Sequence, residues 1–147
     1  MKIRFTLLAL LALLSFSVIA CEEDPASPDD PTMKAEVDGD EKETNDVVVT
    51  ELASSRIITG AFAADGSSIR ITLTDVDAPI SIDLPDANGS SIIYTMGTTT
   101  YMGMSGEIDV TTYDAAGVAG SFSFTGMDLM TGDTIEITDG TFSGAVN

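Results

Sequence analysis

The most distinctive ligand atoms in this sequence are thioether sulfurs. Met102-Gly103-Met104 places two of them on one face of an extended strand, and Met127 and Met130 stand three residues apart. Soft thioethers favour Cu(I), and no imidazole competes because the chain contains no histidine. Methionine is also ordinary core filler, so the same residues fit a packing role. Oxygen ligands come next. Asp75 with Asp77, Asp86 with Asn88 and Ser90, and Asp38 with Asp40 are pairs in which a turn offers oxygens to Ca2+, an ion that takes roughly six to eight of them. None completes a calcium loop: after Asp86-Ala87-Asn88-Gly89-Ser90 the glycine comes too early, and Gly97 stands where a bidentate glutamate belongs. Acids in such turns ordinarily serve the backbone or water. Tyr94, Tyr101 and Tyr113 are the candidate rings for stacking against a sugar, their alternative being an amphipathic place at strand edges.

The groups that carry most hydrolytic catalysis are missing. With no histidine, no tryptophan and Cys21 as the single cysteine, imidazole metal sites, Cys/His and Ser/His pairs and disulfide scaffolds are all excluded. There is no Gly-x-Ser-x-Gly elbow and no Asp-Thr-Gly turn, and the carboxylates of Glu107 and Asp109 share a strand face in the manner of an exposed polar row. No catalytic residue, no enzymatic activity and no cofactor are therefore expected. Charge removes another class. The 147 residues hold 24 acids against 6 bases, a formal net charge of −18, which repels phosphate backbones, so nucleic acid is not an expected partner. Beyond Arg70 there is no lysine or arginine. The acids of that half must face water or bound cations, because burying an unpaired carboxylate is prohibitively costly.

These side chains sit in segments whose hydrophobic period is two. Ile69-Arg70-Ile71-Thr72-Leu73-Thr74 is the clearest, and the alternation recurs over 80–84, 107–111, 121–125 and 134–138, with Ile, Val or Phe on one face and Thr, Ser or an acid on the other. Asp38-Gly39, Asp65-Gly66, Asn88-Gly89, Ala116-Gly117 and Thr131-Gly132 are turn signals between them. No helical stripe with caps occurs from residue 33 onward. A helical turn is allowed only over Asp46 to Ser55, where Val47-Val48-Val49 still argues for strand. Gly-x-Phe occurs at Gly60-Ala61-Phe62, Gly120-Ser121-Phe122 and Gly140-Thr141-Phe142, spaced too unevenly for a repeat. Each Phe is expected to fill the core beside a Gly that permits a bulge or a close strand approach. Inward parity switches between Ile137 and Phe142, so Asp139-Gly140 must be a hairpin turn or a bulge. Eight to ten short strands at this spacing predict an all-β fold, an antiparallel β-sandwich with a small up-and-down barrel as the alternative.

The first 21 residues read as a secretory signal peptide: Lys2 and Arg4, then an apolar run from Leu7 to Phe16 that is too short for a lasting membrane span. Val18-Ile19-Ala20-Cys21 resembles the bacterial lipobox, which implies a diacylated Cys21 at the start of the mature chain. Two or three acyl chains anchor stably, each buried CH2 contributing about 0.8 kcal/mol. The only thiol is then consumed, leaving no disulfide. Residues 22–32, with Pro25, Pro28 and Pro31 among acids, read as an extended disordered tether. Its Glu22-Glu23-Asp24 resembles the surface-export signal of lipoproteins in the Bacteroidota, the plain alternative being a soluble acidic spacer.

Further segments carry the same resemblance. With Met33-Lys34-Ala35-Glu36-Val37-Asp38-Gly39 at the opening and the strand signals at 106–111, 120–124 and 137–142 at the close, the chain is similar to small β-rich lipoproteins of the Bacteroidota. That resemblance implies a fold and a location but no activity. It departs after Asp38-Gly39, where Asp40-Glu41-Lys42-Glu43 replaces the expected aromatic, so the first hairpin is the least supported element. Asp133-Thr134-Ile135 resembles an O-glycosylation acceptor of the same group, expected in mid-strand and hidden.

The expected organisation is a signal peptide over 1–21, a tether over 22–32 and a single antiparallel β domain over 33–147. The expected function is a non-catalytic lipoprotein of the cell envelope, anchored to the outer membrane and displayed at the surface as a binding, adhesion or structural module for a protein or glycan. The alternative is a periplasm-facing lipoprotein that binds a small ligand, Ca2+ or Cu(I).

Overall fold

The computed structural model of the protein describes residues 30–146. Ten strands follow in chain order: β1 (Thr32–Val37), β2 (Asp40–Thr44), β3 (Val47–Leu52), β4 (Ser55–Phe62), β5 (Ser67–Thr74), β6 (Ile80–Leu84), β7 (Ser91–Met96), β8 (Thr99–Tyr113), β9 (Gly117–Asp128) and β10 (Thr134–Ala145). All strand pairs are antiparallel and belong to one sheet of order β2-β1-β10-β9-β8-β7-β5-β4-β3. β6 lies off that path and pairs β8 over Gly106–Val110, beyond the stretch of β8 that pairs β7.

The sheet coils until its two ends approach. Val49 of β3 bridges Val146, which follows β10, and the Thr44 hydroxyl donates to the Ala61 carbonyl at 2.7 Å. The all-β antiparallel expectation is met by a single sheet nearly closed on itself, its facing halves packed across one core. Closure leaves little free strand edge, and edge strand β2 carries the charged sequence Asp-Glu-Lys-Glu-Thr, which discourages further pairing.

Period two decides which side chains meet inside. Ile69, Ile71 and Leu73 point inward from β5, Ile108 and Val110 from β8, and Ile135 and Ile137 from β10, all buried. The outer face of β8, β9 and β10 carries Glu107, Asp109, Ser121, Ser123, Thr125 and Glu136. This polar-out, apolar-in arrangement is the reverse of a lipid-facing barrel.

The first hairpin forms despite its unusual sequence. Asp38 (φ 48°) and Gly39 (φ 85°) take the paired positive φ of a tight two-residue turn between Val37 and Asp40. The helical turn allowed over 46–55 does not occur: its β-branched run forms β3 instead. Parity is restored at Asp139-Gly140 by a bulge rather than a turn, with the register to β9 shifting between Ile137 and Gly140. β1 takes in the last residue of the segment 22–32. Thr32 is already in β1, opposite Ser143, where its N–H donates to the serine hydroxyl at 3.2 Å.

Two of the Gly-x-Phe segments interlock. Gly120 of β9 pairs Phe142 of β10, and Phe122 pairs Gly140. Each ring covers the glycine opposite: a Cβ on Gly140 would fall 2.4 Å from the Phe122 ring, and one on Gly120 would fall 2.8 Å from that of Phe142. The two rings pack with centroids 6.3 Å apart. The third segment works alone, Gly60 receiving the side chain of Met33 from across the core.

At the seam, Lys42 of β2 is paired with Asp65 in the β4–β5 turn, and Asp65 also accepts hydrogen bonds from the Ser67 amide (2.9 Å) and hydroxyl (2.6 Å). The Lys42 ammonium and then these Ser67 donors hold the Asp65 carboxyl below the ordinary aspartate range. The hydrogen bond to Asp65 in turn raises Lys42. A lowered carboxylate stabilises the fold fully above the unfolded value of about 4, and that share is lost as pH falls. The lysine share is lost only as pH rises beyond about 10. Asp65→Asn is therefore expected to be less stable than wild type at pH 7. In urea titrations at pH 7 and pH 3, the gap should narrow at pH 3, where the carboxylate of the unfolded wild-type chain is largely protonated while the folded one still holds its charge. A gap independent of pH would contradict the pairing.

Candidate functional site

The three tyrosines considered for sugar stacking do not form an outward platform. Tyr94 follows the inward parity of Ile92 in β7 and is fully buried, and Tyr101 packs beside it at 6.1 Å between centroids. Tyr113 lies beneath the Arg56 guanidinium, 4.1 Å from its carbon to the ring centroid. Tyr94 is thus removed from the surface, while Tyr101 and Tyr113 are half-buried. The Tyr94 hydroxyl is buried without a hydrogen-bond partner. Tyr94→Phe is accordingly expected to keep or raise stability, by up to about 1 kcal/mol, since it removes a desolvated donor. A loss above that size in thermal melts would mean that the hydroxyl has a partner.

Arg56 was missed by the sequence reading. It occupies an inward position at the start of β4 and is 3% exposed. Its Nη1 donates to the carbonyls of Asp114 and Gly117, each at 2.9 Å, while Nε and Nη2 donate to Glu51. The guanidinium thus fastens β4 to the β8–β9 turn and closes one end of the barrel. The only legible signal is that Arg56 shares parity with Ile58, Gly60 and Phe62.

The acidic candidates separate. Asp75, Asp86 and Asn88 line one groove of about 250 Å³ together with Asp83, but Asp77 does not. Asp86 accepts hydrogen bonds from the amides of Ser90 (2.9 Å) and Asn88 (3.2 Å), which lower its pKa and commit its oxygens to the turn. Asp38 similarly receives the Glu136 amide at 3.0 Å, and Asp40 is exposed. Glu107 and Asp109 line an outer groove with Ser121, Ser123 and Asp139. Among the described residues no group of three or more acidic or cysteine side chains is placed to hold a metal ion. Thr134, expected in mid-strand, is instead the exposed first residue of β10.

The methionines come together. Of those described, only Met33 is buried in the core. Met102 of β8 pairs directly with Met127 of β9 on the outer face, so the two sequence-distant methionine pairs meet through the sheet register. The register then slips between Gly103 and Ser105, leaving Met104 as the extra residue of a bulge, 45% exposed beside Met102 at 39%. Next to them the Asp128–Asp133 turn is held by the Asp128 carboxylate, which accepts from the Met130 amide (2.8 Å) and the Thr131 hydroxyl (3.1 Å). That turn presents Leu129 at 62% and Met130 at 94% exposure. Met102, Leu129 and Met130 line a predominantly apolar groove of about 450 Å³ with Thr98 and Thr100. This groove interrupts a face otherwise made of Ser, Thr and acids.

Cys21, Glu22, Glu23 and Asp24, assigned to lipidation and export, lie outside the described residues. Compared with protein-family models, curated proteins and solved structures, the chain matches none. Its functional reading therefore rests on its own residues.

Proposed function

We propose that the protein is a non-catalytic lipoprotein of the cell envelope, anchored through Cys21 and displayed at the outer surface, whose barrel presents a recognition face to a protein or glycan. The observation that carries this reading is the separation of the barrel's two ends. The described chain begins where the Ser143 hydroxyl donates to the Asp30 carbonyl and Thr32 pairs Ser143. The methionine face lies at the opposite end. Ser143 pairs Ala119, and Met127 follows eight residues further along β9, roughly 26 Å away at a strand rise of about 3.3 Å per residue. With the proposed tether over 22–32 leading into β1, the apolar groove lies away from the anchored end.

Other features agree with recognition rather than turnover. The interior is filled by side chains such as Tyr94, Phe142, Ile58 and Ile108, and the grooves described above lie on the surface. The groups with displaced pKa values, Lys42, Asp65 and Asp86, are each accounted for by a structural partner rather than by a reactive cleft.

Anchoring is tested by growing an expressing bacterium on an alkyne-bearing palmitate and visualising the protein after dye ligation. Wild type is expected to carry label, and Cys21→Ser to lose it. Equal labelling of both, or none of either, would contradict the anchor.

A further inference from the structure

We propose that Met102, Met104 and Met127 form a site for a soft monovalent cation, with Cu(I) as the ligand. This goes beyond the recognition role and does not depend on anchoring. Three placements carry it. Met102 and Met127 are directly opposed across β8 and β9, which sets their Cβ atoms about 5 Å apart on one face. Met104 stands two residues along β8 from Met102, exposed as Met102 is, where the register slips between Gly103 and Ser105. Met102 and Met104 are exposed and Met127 is half-buried, all three on paired strands that fix their backbone positions.

The chemistry follows from the atoms. A thioether is neutral, polarizable and unaffected by pH, and it selects Cu(I) over the harder divalent ions that carboxylates take. Each side chain has three rotatable bonds, enough for the sulfurs to converge on one ion from these positions. Packing does not account for these methionines, because the core takes Met33 and leaves the others at the surface. A formal net charge of −18 concentrates cations around the barrel. With no histidine in the chain and Cys21 its only cysteine, the soft donors of the described domain are methionine sulfurs, of which these three lie together on paired strands β8 and β9. Met130 lies in the neighbouring turn and is not part of the strand-borne set.

The test uses the full chain with Cys21→Ser, so that the thiol cannot bind the ion, under anaerobic conditions. Ag(I), a redox-inert stand-in, is titrated while the methionine methyl resonances are followed, and Cu(I) affinity is measured by competition with a chromophoric chelator. The expected result is one ion per chain, with the Met102, Met104 and Met127 methyls shifting together and those of Met33 and Met130 little changed. Met102→Leu and Met127→Leu, which preserve bulk and hydrophobicity, should each weaken Cu(I) binding at least tenfold, whereas Met130→Leu should not. Absence of saturable binding, uniform shifts across all methionines, or undiminished affinity in the leucine variants would overturn the site. The first result comes from unsubstituted methionines, so a variant that fails to fold does not decide the matter.

Discussion

Gly120→Ala is expected to destabilise the domain by more than about 4 kcal/mol, most of the stability of an ordinary domain of this size. A Cβ at this position would sit 2.1 Å from the Asp109 carbonyl oxygen of the neighbouring strand as well as 2.8 Å from the Phe142 ring. The ring can move, but the carbonyl belongs to the ladder that joins β8 to β9. Relief therefore requires parting two strands at the centre of the sheet. Gly60→Ala is the control. Its Cβ would meet mainly the Met33 side chain, with the sulfur at 2.5 Å, and a flexible thioether can swing aside at a cost of about 1–2 kcal/mol. Thermal melts of the two variants should separate widely, with Gly120→Ala melting far below Gly60→Ala. Shrinking the ring with Phe142→Leu should not rescue it. Rescue would mean that the aromatic contact, rather than the carbonyl, sets the limit.

Arg56→Met should cost about 3 kcal/mol. Two charge-assisted hydrogen bonds to the Asp114 and Gly117 carbonyls are lost, each worth roughly 1.5–3 kcal/mol, and methionine returns part of this through its own burial. The ion pair with Glu51 adds little, because that carboxylate is half exposed. The stacking over Tyr113 adds somewhat more. Arg56→Lys should recover less than half of the loss, since one ammonium cannot reproduce the planar fork that reaches two carbonyls and a carboxylate. Urea titration should show a lower midpoint with an unchanged slope for both variants. Near-neutral behaviour of Arg56→Met would show that the barrel end closes without the guanidinium.

How much of this was legible follows from what is local in a sheet. Alternation in Ile69-Arg70-Ile71-Thr72-Leu73 identified β5 and its core face at once, and Asp38-Gly39 identified its turn. The Gly-x-Phe segments marked close packing, but their interlocking depends on which strands pair, which no single segment encodes. β8 was read only over 107–111. Its first half uses methionine and glycine instead of aliphatics, and its bulges at Met104 and Thr111 shift parity twice within one strand. Arg56 stands before Ile57-Ile58, where an apolar doublet hides the phase, so its inward position is not legible locally. Tyr94 suffered the same ambiguity after Ile92-Ile93. Met102 and Met104 were rightly placed on one face, while the approach of Met127 is a fact of register between strands 25 residues apart along the chain. The acidic turns follow the backbone role that their sequence allows. Aspartate serves turn amides as readily as cations, and Asp86 and Asp38 do the former.

We propose that this barrel stands on the outer surface of the cell with its methionine face away from the membrane. Protease shaving of intact producing cells tests it most directly, followed by immunoblotting for residues 33–147 with a periplasmic lipoprotein as control. Loss of the domain while the control survives is the predicted result. Survival of both, with digestion of both only after the outer membrane is opened, would place the domain inside the envelope and contradict surface display.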